Sequence, residues 1–89
     1  LGLGACTPGP ETLFADGKEA FAAHDYHTAW IHLEEGLRQQ PGNVEMQLLL
    51  ASTFLRLGEG ERANMRLQAL PADIRSTPRI RLMQSEADI

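Results

Sequence analysis

Cysteine occurs once among the 89 residues, at Cys6, so no internal disulfide can staple this chain. Basic residues are also few: eight Lys and Arg stand against twelve Asp and Glu, a net charge of −4. They are scattered, with only Arg79 and Arg81 close together. A nucleic-acid surface needs clustered cations to displace counterions, so this composition argues against nucleic acid as a partner. No apolar run reaches the roughly 18 residues that a membrane-spanning helix requires. There is no glycine-rich phosphate loop and no Ser-His-Asp set with supporting context, so neither an enzyme nor a cofactor site is expected. Aromatic residues make up only 6% of the chain. A chain this short builds one small domain with a modest core and no deep enclosed pocket.

What the chain does contain is helical periodicity. Thr7-Pro8-Gly9-Pro10 removes backbone donors and adds freedom, so no helix crosses it. Leu13, Phe14, Gly17, Ala20 and Phe21 then fall on one face of a 3.6-residue period. His24-Asp25-Tyr26 reads as a tight break. A second helix carries Ala29, Trp30, Leu33 and Leu37 on one face, with Glu34, Glu35 and Arg38 on the other, up to the stop at Pro41-Gly42-Asn43. Gly36 inside it weakens the helix by about 1 kcal/mol relative to alanine. A third helix spans about 44–57 with Leu48, Ala51, Phe54 and Leu55 as its stripe, and Gly58-Glu59-Gly60 breaks it. A fourth carries Ala63, Leu67 and Leu70 and ends before Pro71. Residues 71–77 read as a loop, and Pro78 suits the first position of a fifth helix containing Ile80, Leu82 and Met83. No segment alternates with period two, so the class is all-α. Four helices of about 12 to 15 residues with short connections must pack as antiparallel neighbours.

Shifting the chain by 34 residues overlays these elements on themselves. Gly17 falls on Ala51 and then Ser85, and Phe14 on Leu48 and then Leu82. Ala20 and Phe21 fall on Phe54 and Leu55, Ala29 on Ala63, and Leu33 on Leu67. Small residues at fixed stations let helices approach closely, and stacked pairs bury stripes that a lone pair cannot. This spacing resembles the tetratricopeptide repeat (TPR). With Pro10 as the first position, Gly17 is the eighth, Ala29 the twentieth, Leu33 the twenty-fourth and Pro41 the thirty-second. Asp25-Tyr26 resembles that family's Gly-Asp-Tyr turn, with His24 in place of the glycine. Asp16 stands where an apolar residue is usual, and Arg75 where the second repeat's proline belongs. The resemblance implies a right-handed superhelix of antiparallel hairpins with repeats at 10–43 and 44–77. Residues 78–89 would then open a third repeat, and 1–9 would lie outside the array. The competing reading is an unrelated bundle of helical hairpins.

Leu3-Gly4-Ala5-Cys6 resembles a bacterial lipobox, in which cleavage leaves the cysteine as a lipid-bearing first residue. Residues 1–5 are then expected to be the tail of a signal peptide, with the chain given being part of a longer one. Thr-Pro-Gly-Pro behind them would be a tether. Thr7, rather than Asp, after the cysteine implies an outer-membrane lipoprotein facing the periplasm. Lipobox, tether and immediate repeats resemble TPR lipoproteins of exosortase-linked exopolysaccharide systems or of pilus assembly. The run from His24 to Asn43 is nearer the first group. A free cysteine, in a cytoplasmic TPR adaptor or an accessory domain of a larger protein, is the other reading.

His24, His27 and His32 could suggest a metal, but His24 and His27 straddle a break and His27 and His32 do not share a helical face. No metal site is expected. Glu34–Arg38 and Glu59–Arg62 read as surface ion pairs, and Trp30 as a core or part-core residue. In the family resembled, the first helix of each pair lines a concave partner-binding groove. Carried over by position, that groove comprises Phe14, Lys18, Phe21, Leu48, Ser52, Leu55, Arg56, Leu82 and Glu86, unless later repeats cover some of them. It is apolar with a few charges and lacks the Lys-and-Asn-rich set that clamps a C-terminal carboxylate. The expected partner is therefore another protein or peptide offering an apolar segment.

Overall fold

A computed structural model describes residues 8–87, and every regular element within them is an α-helix. Pro10 at the first turn of α1 (Pro10–Ala22) sacrifices only a donor that has no intrahelical partner, and Glu11 beside it suits the positive end of the helix dipole. α2 (Tyr26–Gln39) begins behind Asp25, whose carboxylate accepts from the Thr28 amide at 3.4 Å. α3 (Val44–Arg56) begins behind Asn43, whose side chain accepts from the Met46 amide at 3.0 Å. α4 (Gly60–Gln68) follows Glu59, a poor capping residue that makes no cap and turns to Arg62 instead, at 3.5 Å. A single turn, α5 (Ala72–Arg75), precedes α6 (Pro78–Ala87).

The two hairpin turns are built alike. After α1 the amides of His24 and Asp25 donate to the carbonyls of Phe21 (3.0 Å) and Ala20 (2.9 Å), with His24 at φ 63°. After α3 the amides of Gly58 and Glu59 donate to Leu55 (3.1 Å) and Phe54 (2.8 Å), with Gly58 at φ 75°. Each is a Schellman closure, which turns on one residue in the left-handed region. Glycine enters that region freely, whereas a histidine there is strained by a clash of its Cβ with the backbone.

α1 packs on α2, α2 on α3, α3 on α4, and α4 on α6, so α1, α3 and α6 form one layer and α2 and α4 the other. The molecule is an elongated plate, 48 × 27 × 17 Å, whose thinnest dimension is about two helices deep. Small residues hold the layers together. A Cβ built on Gly17 would stand 2.8 Å from Cδ2 and 2.9 Å from Cγ of Leu33, which is fully buried. Ala29, Ala51 and Ala63 are also without exposed surface, and Leu67 repeats the burial of Leu33. Around them Leu37, Met46, Leu50, Phe54, Leu70, Ile80 and Met83 make one continuous core.

Several expectations need correction. Residues 71–77 are not simply a loop: the Arg75 amide donates to Pro71 at 2.9 Å and Ser76 to Ala72 at 3.1 Å, closing the turn of α5. The hydroxyls of Ser76 and Thr77 satisfy its last carbonyls, donating to Asp73 at 3.1 Å and Ile74 at 2.8 Å. Thr77, preceding Pro78, is disfavoured from the helical region, which separates α5 from α6. The expected five helices are therefore joined by a one-turn sixth. α4 has nine residues rather than 12 to 15, because it must end ahead of Pro71. The stripe of α3 is wider than expected. Met46, Gln47, Leu50 and Thr53 are buried beside Ala51 and Phe54, while Leu48 and Leu55 are only half-buried. A helix packed on α2, α4 and α6 needs more than one narrow apolar face.

Gly36 is more than a weak point in α2. A Cβ there would stand 2.8 Å from the Met46 sulfur, so the glycine admits α3 against α2. Ser85, which overlays Gly17 and Ala51, is exposed, and Leu82 is 63% exposed, because no described helix covers that side of α6. The conformational difference between the two hairpin turns generates a test. His24→Gly should raise stability by up to about 1 kcal/mol, the relief of the left-handed histidine less the unfolded-state freedom of glycine. Thermal unfolding followed by circular dichroism should show a midpoint about 4 °C higher, and a lower midpoint would contradict the strain assigned to this turn.

Candidate functional site

The residues of α1, α3 and α6 that face away from α2 and α4 form one continuous surface. On α1, Phe14 and Phe21 are half-buried against the core. The ammonium of Lys18 lies 4.5 Å from the centre of the Phe14 ring. Phe21 is held by the edge of Tyr26, with ring centres 5.4 Å apart at 70°, and the Arg56 guanidinium sits 6.0 Å from its centre. Between α1, α3 and α6 this surface deepens into a cleft of about 510 Å³. Phe21, Leu49, Leu55 and Met83 give it an apolar floor, with Ser52, Arg56, Arg79 and Glu86 around it.

Five of the nine residues assigned to a groove from the sequence line this cleft: Phe21, Ser52, Leu55, Arg56 and Glu86. Four do not. Phe14 and Lys18 pair with each other on α1, Leu48 is half-buried against the core, and Leu82 projects outward. Leu49, Arg79 and Met83 were missed. Arg79, Met83 and Glu86 stand at i, i+4 and i+7 on α6, a shared helical face that was legible; reading Met83 only as core hid it.

The opposite surface, on α2 and α4, has a different chemistry. Its arginines are engaged within the molecule: Arg38 with Glu35 at 3.0 Å, Arg62 with Glu59 at 3.5 Å and Arg66 with Glu34 at 3.6 Å. The expected Glu34–Arg38 pair is thus replaced. Glu34 reaches across to α4, and Arg38 takes the neighbour three residues back. Arg62 also lies 5.0 Å from the centre of the Trp30 ring, and Trp30 meets Phe54 edge-on at 5.0 Å, which makes this tryptophan half-buried packing. A second cleft here, about 470 Å³, is lined by Glu34, Phe54, Glu61, Arg62, Met65 and Arg66. On the α1–α3–α6 side, Lys18, Arg56, Arg79 and Glu86 have no ion-pair partner among the described residues.

His24 stacks on Tyr26 with centres 5.7 Å apart, and His27 lies 6.0 Å from Trp30. Among the described residues no three His, Cys, Asp or Glu side chains converge as a metal site would require. Among the same residues no helix is long and apolar enough to cross a membrane. Cys6 and the rest of the run that resembles a lipobox lie outside the described residues. The geometry therefore offers an open, apolar-floored cleft with a charged rim. It can bury part of a large apolar side chain, each worth about 1.5–3 kcal/mol when fully covered. The rim charges add modestly to affinity and more to selectivity.

No curated protein and no solved structure matches the chain. A family model described as Tetratricopeptide repeat matches residues 20–87, most of its length. The chain belongs to the tetratricopeptide-repeat family, whose members generally mediate protein–protein interaction and are typically non-catalytic scaffolds.

Proposed function

We propose that this protein is a membrane-anchored scaffold of the bacterial cell envelope that receives an apolar segment of a partner polypeptide on its α1–α3–α6 surface. The observation that carries the binding face is the cleft. It joins side chains from three helices, has an apolar floor, and leaves Arg56, Arg79 and Glu86 without an ion-pair partner among the described residues. The α2–α4 surface, by contrast, has its arginines satisfied by its own glutamates.

The anchor rests on the sequence. Leu3-Gly4-Ala5-Cys6 followed by Thr-Pro-Gly-Pro suits a diacylated cysteine on a short tether, and each buried CH₂ of such a group contributes about 0.8 kcal/mol of membrane affinity. Thr7 after the cysteine favours the outer membrane with the repeats facing the periplasm. Assembly or export of an exopolysaccharide or a pilus is the setting in which such a scaffold serves.

Two experiments on the full-length protein in its producing cells test this reading. A photo-crosslinking amino acid placed at Ser52, in the cleft, should capture a protein partner, whereas the same probe at exposed Ile31 on α2 should not. Adducts from Ile31 alone would move the binding face to the other layer. Radiolabelled palmitate should enter the wild type and be lost in Cys6→Ser. Equal labelling of the two, or labelling of neither, would return the protein to a cytoplasmic adaptor.

A further inference from the structure

Arg79 is set against the dipole of α6. A helix favours anions in its first turn and cations in its last. α6 has no acid in its first turn, where Arg79 stands, and Glu86 lies seven residues further along the same helix. Neither has an ion-pair partner among the described residues. α3 differs: Arg56 lies in its last turn, where the dipole favours a cation, and Glu45 in its first. Arg79 is therefore a local cost that no ion pair among the described residues offsets. It is exposed, and it lines the same cleft as Arg56 and Glu86.

From this we infer that the occupant of the cleft is an acidic–apolar segment of another polypeptide. Its apolar side chain covers Leu49, Leu55 and Met83, and its carboxylates face Arg79 and Arg56. The inference rests on the proposal that the α1–α3–α6 surface is the binding face, and it adds the chemistry of the partner. Two guanidinium groups against one carboxylate make the cleft net positive, on a chain whose net charge is −4. A negative segment is thus drawn to this part of the surface and repelled by the acidic remainder, which orients the encounter. A carboxylate beside Arg79 also meets the positive end of α6, so one group satisfies both the cation and the helix terminus.

The test uses the full chain and a display library of short random peptides, with binding of the enriched sequences then followed by fluorescence anisotropy. Enriched peptides should be net negative with spaced large apolar residues. Their affinity should fall about tenfold in Arg79→Glu, a change that leaves α6 intact because glutamate suits its first turn. Glu86→Gln should tighten them, and added salt should weaken them. Enriched peptides that are neutral or basic, yet weakened by Leu55→Ala, would overturn the acidic partner while leaving the binding face in place. Peptides indifferent to Leu55→Ala and to Arg79→Glu would overturn both. No enrichment, or a dimer of this chain that seals the cleft in sedimentation at the assay concentration, would likewise overturn it.

Discussion

Helix packing at this thickness depends on side chains that are almost absent. Gly17 meets Leu33 so closely that a single methyl group would overlap it, and Ala29, Ala51 and Ala63 have no exposed surface at all. Where two helices touch through such residues their backbones come near enough for the larger neighbours to interlock on either side. Leu33, Leu50, Phe54 and Leu67 fill those flanks and are almost wholly buried. The small residues contribute little surface themselves; they set the separation at which everything else packs. Gly36 does the same one step along, where α3 meets α2 through Met46.

The open cleft follows from that constraint. Because one face of α1 and α3 is committed to the second layer, the other is free to line an open cleft, and α6 extends it. Charge is sorted by the same geometry. Arginines of the α2–α4 layer find glutamates one turn away or on the adjacent helix. On the cleft side Lys18, Arg56 and Arg79 make no ion pair among the described residues. Exposed ion pairs of this kind contribute little to stability, so the sorting bears on recognition more than on folding.

Most of this was legible in the amino-acid sequence where the repeat speaks and illegible where one residue departs from it. Pro78 marked the start of α6, the breaks at 7–10 and at Pro41-Gly42-Asn43 bounded α1 and α3, and the 34-residue overlay of Gly17 on Ala51 and Ala29 on Ala63 marked the close contacts. The wide stripe of α3 was not visible, since a helix with neighbours on several sides buries Met46 and Leu50 as well as the expected face. α5 was hidden because one turn has no periodicity to detect. Glu34 pairs across space with Arg66, a partner 32 positions away that no helical spacing rule would nominate. In the cleft, Leu55, Arg56 and Glu86 were found through repeat position. Arg79 was not nominated, because the equivalent stations 34 and 68 residues earlier, Glu45 and Glu11, were not among the groove positions.

The claim on which all of this stands is that helices pair through tiny side chains at recurring stations. Urea unfolding of Ala29→Arg, compared with Ala22→Arg on the exposed side of α1, tests it most directly. The account predicts a loss of several kcal/mol at Ala29, where a large cation has neither room nor solvent, and a change within about 0.5 kcal/mol at Ala22. Equal midpoints for the two variants would contradict it.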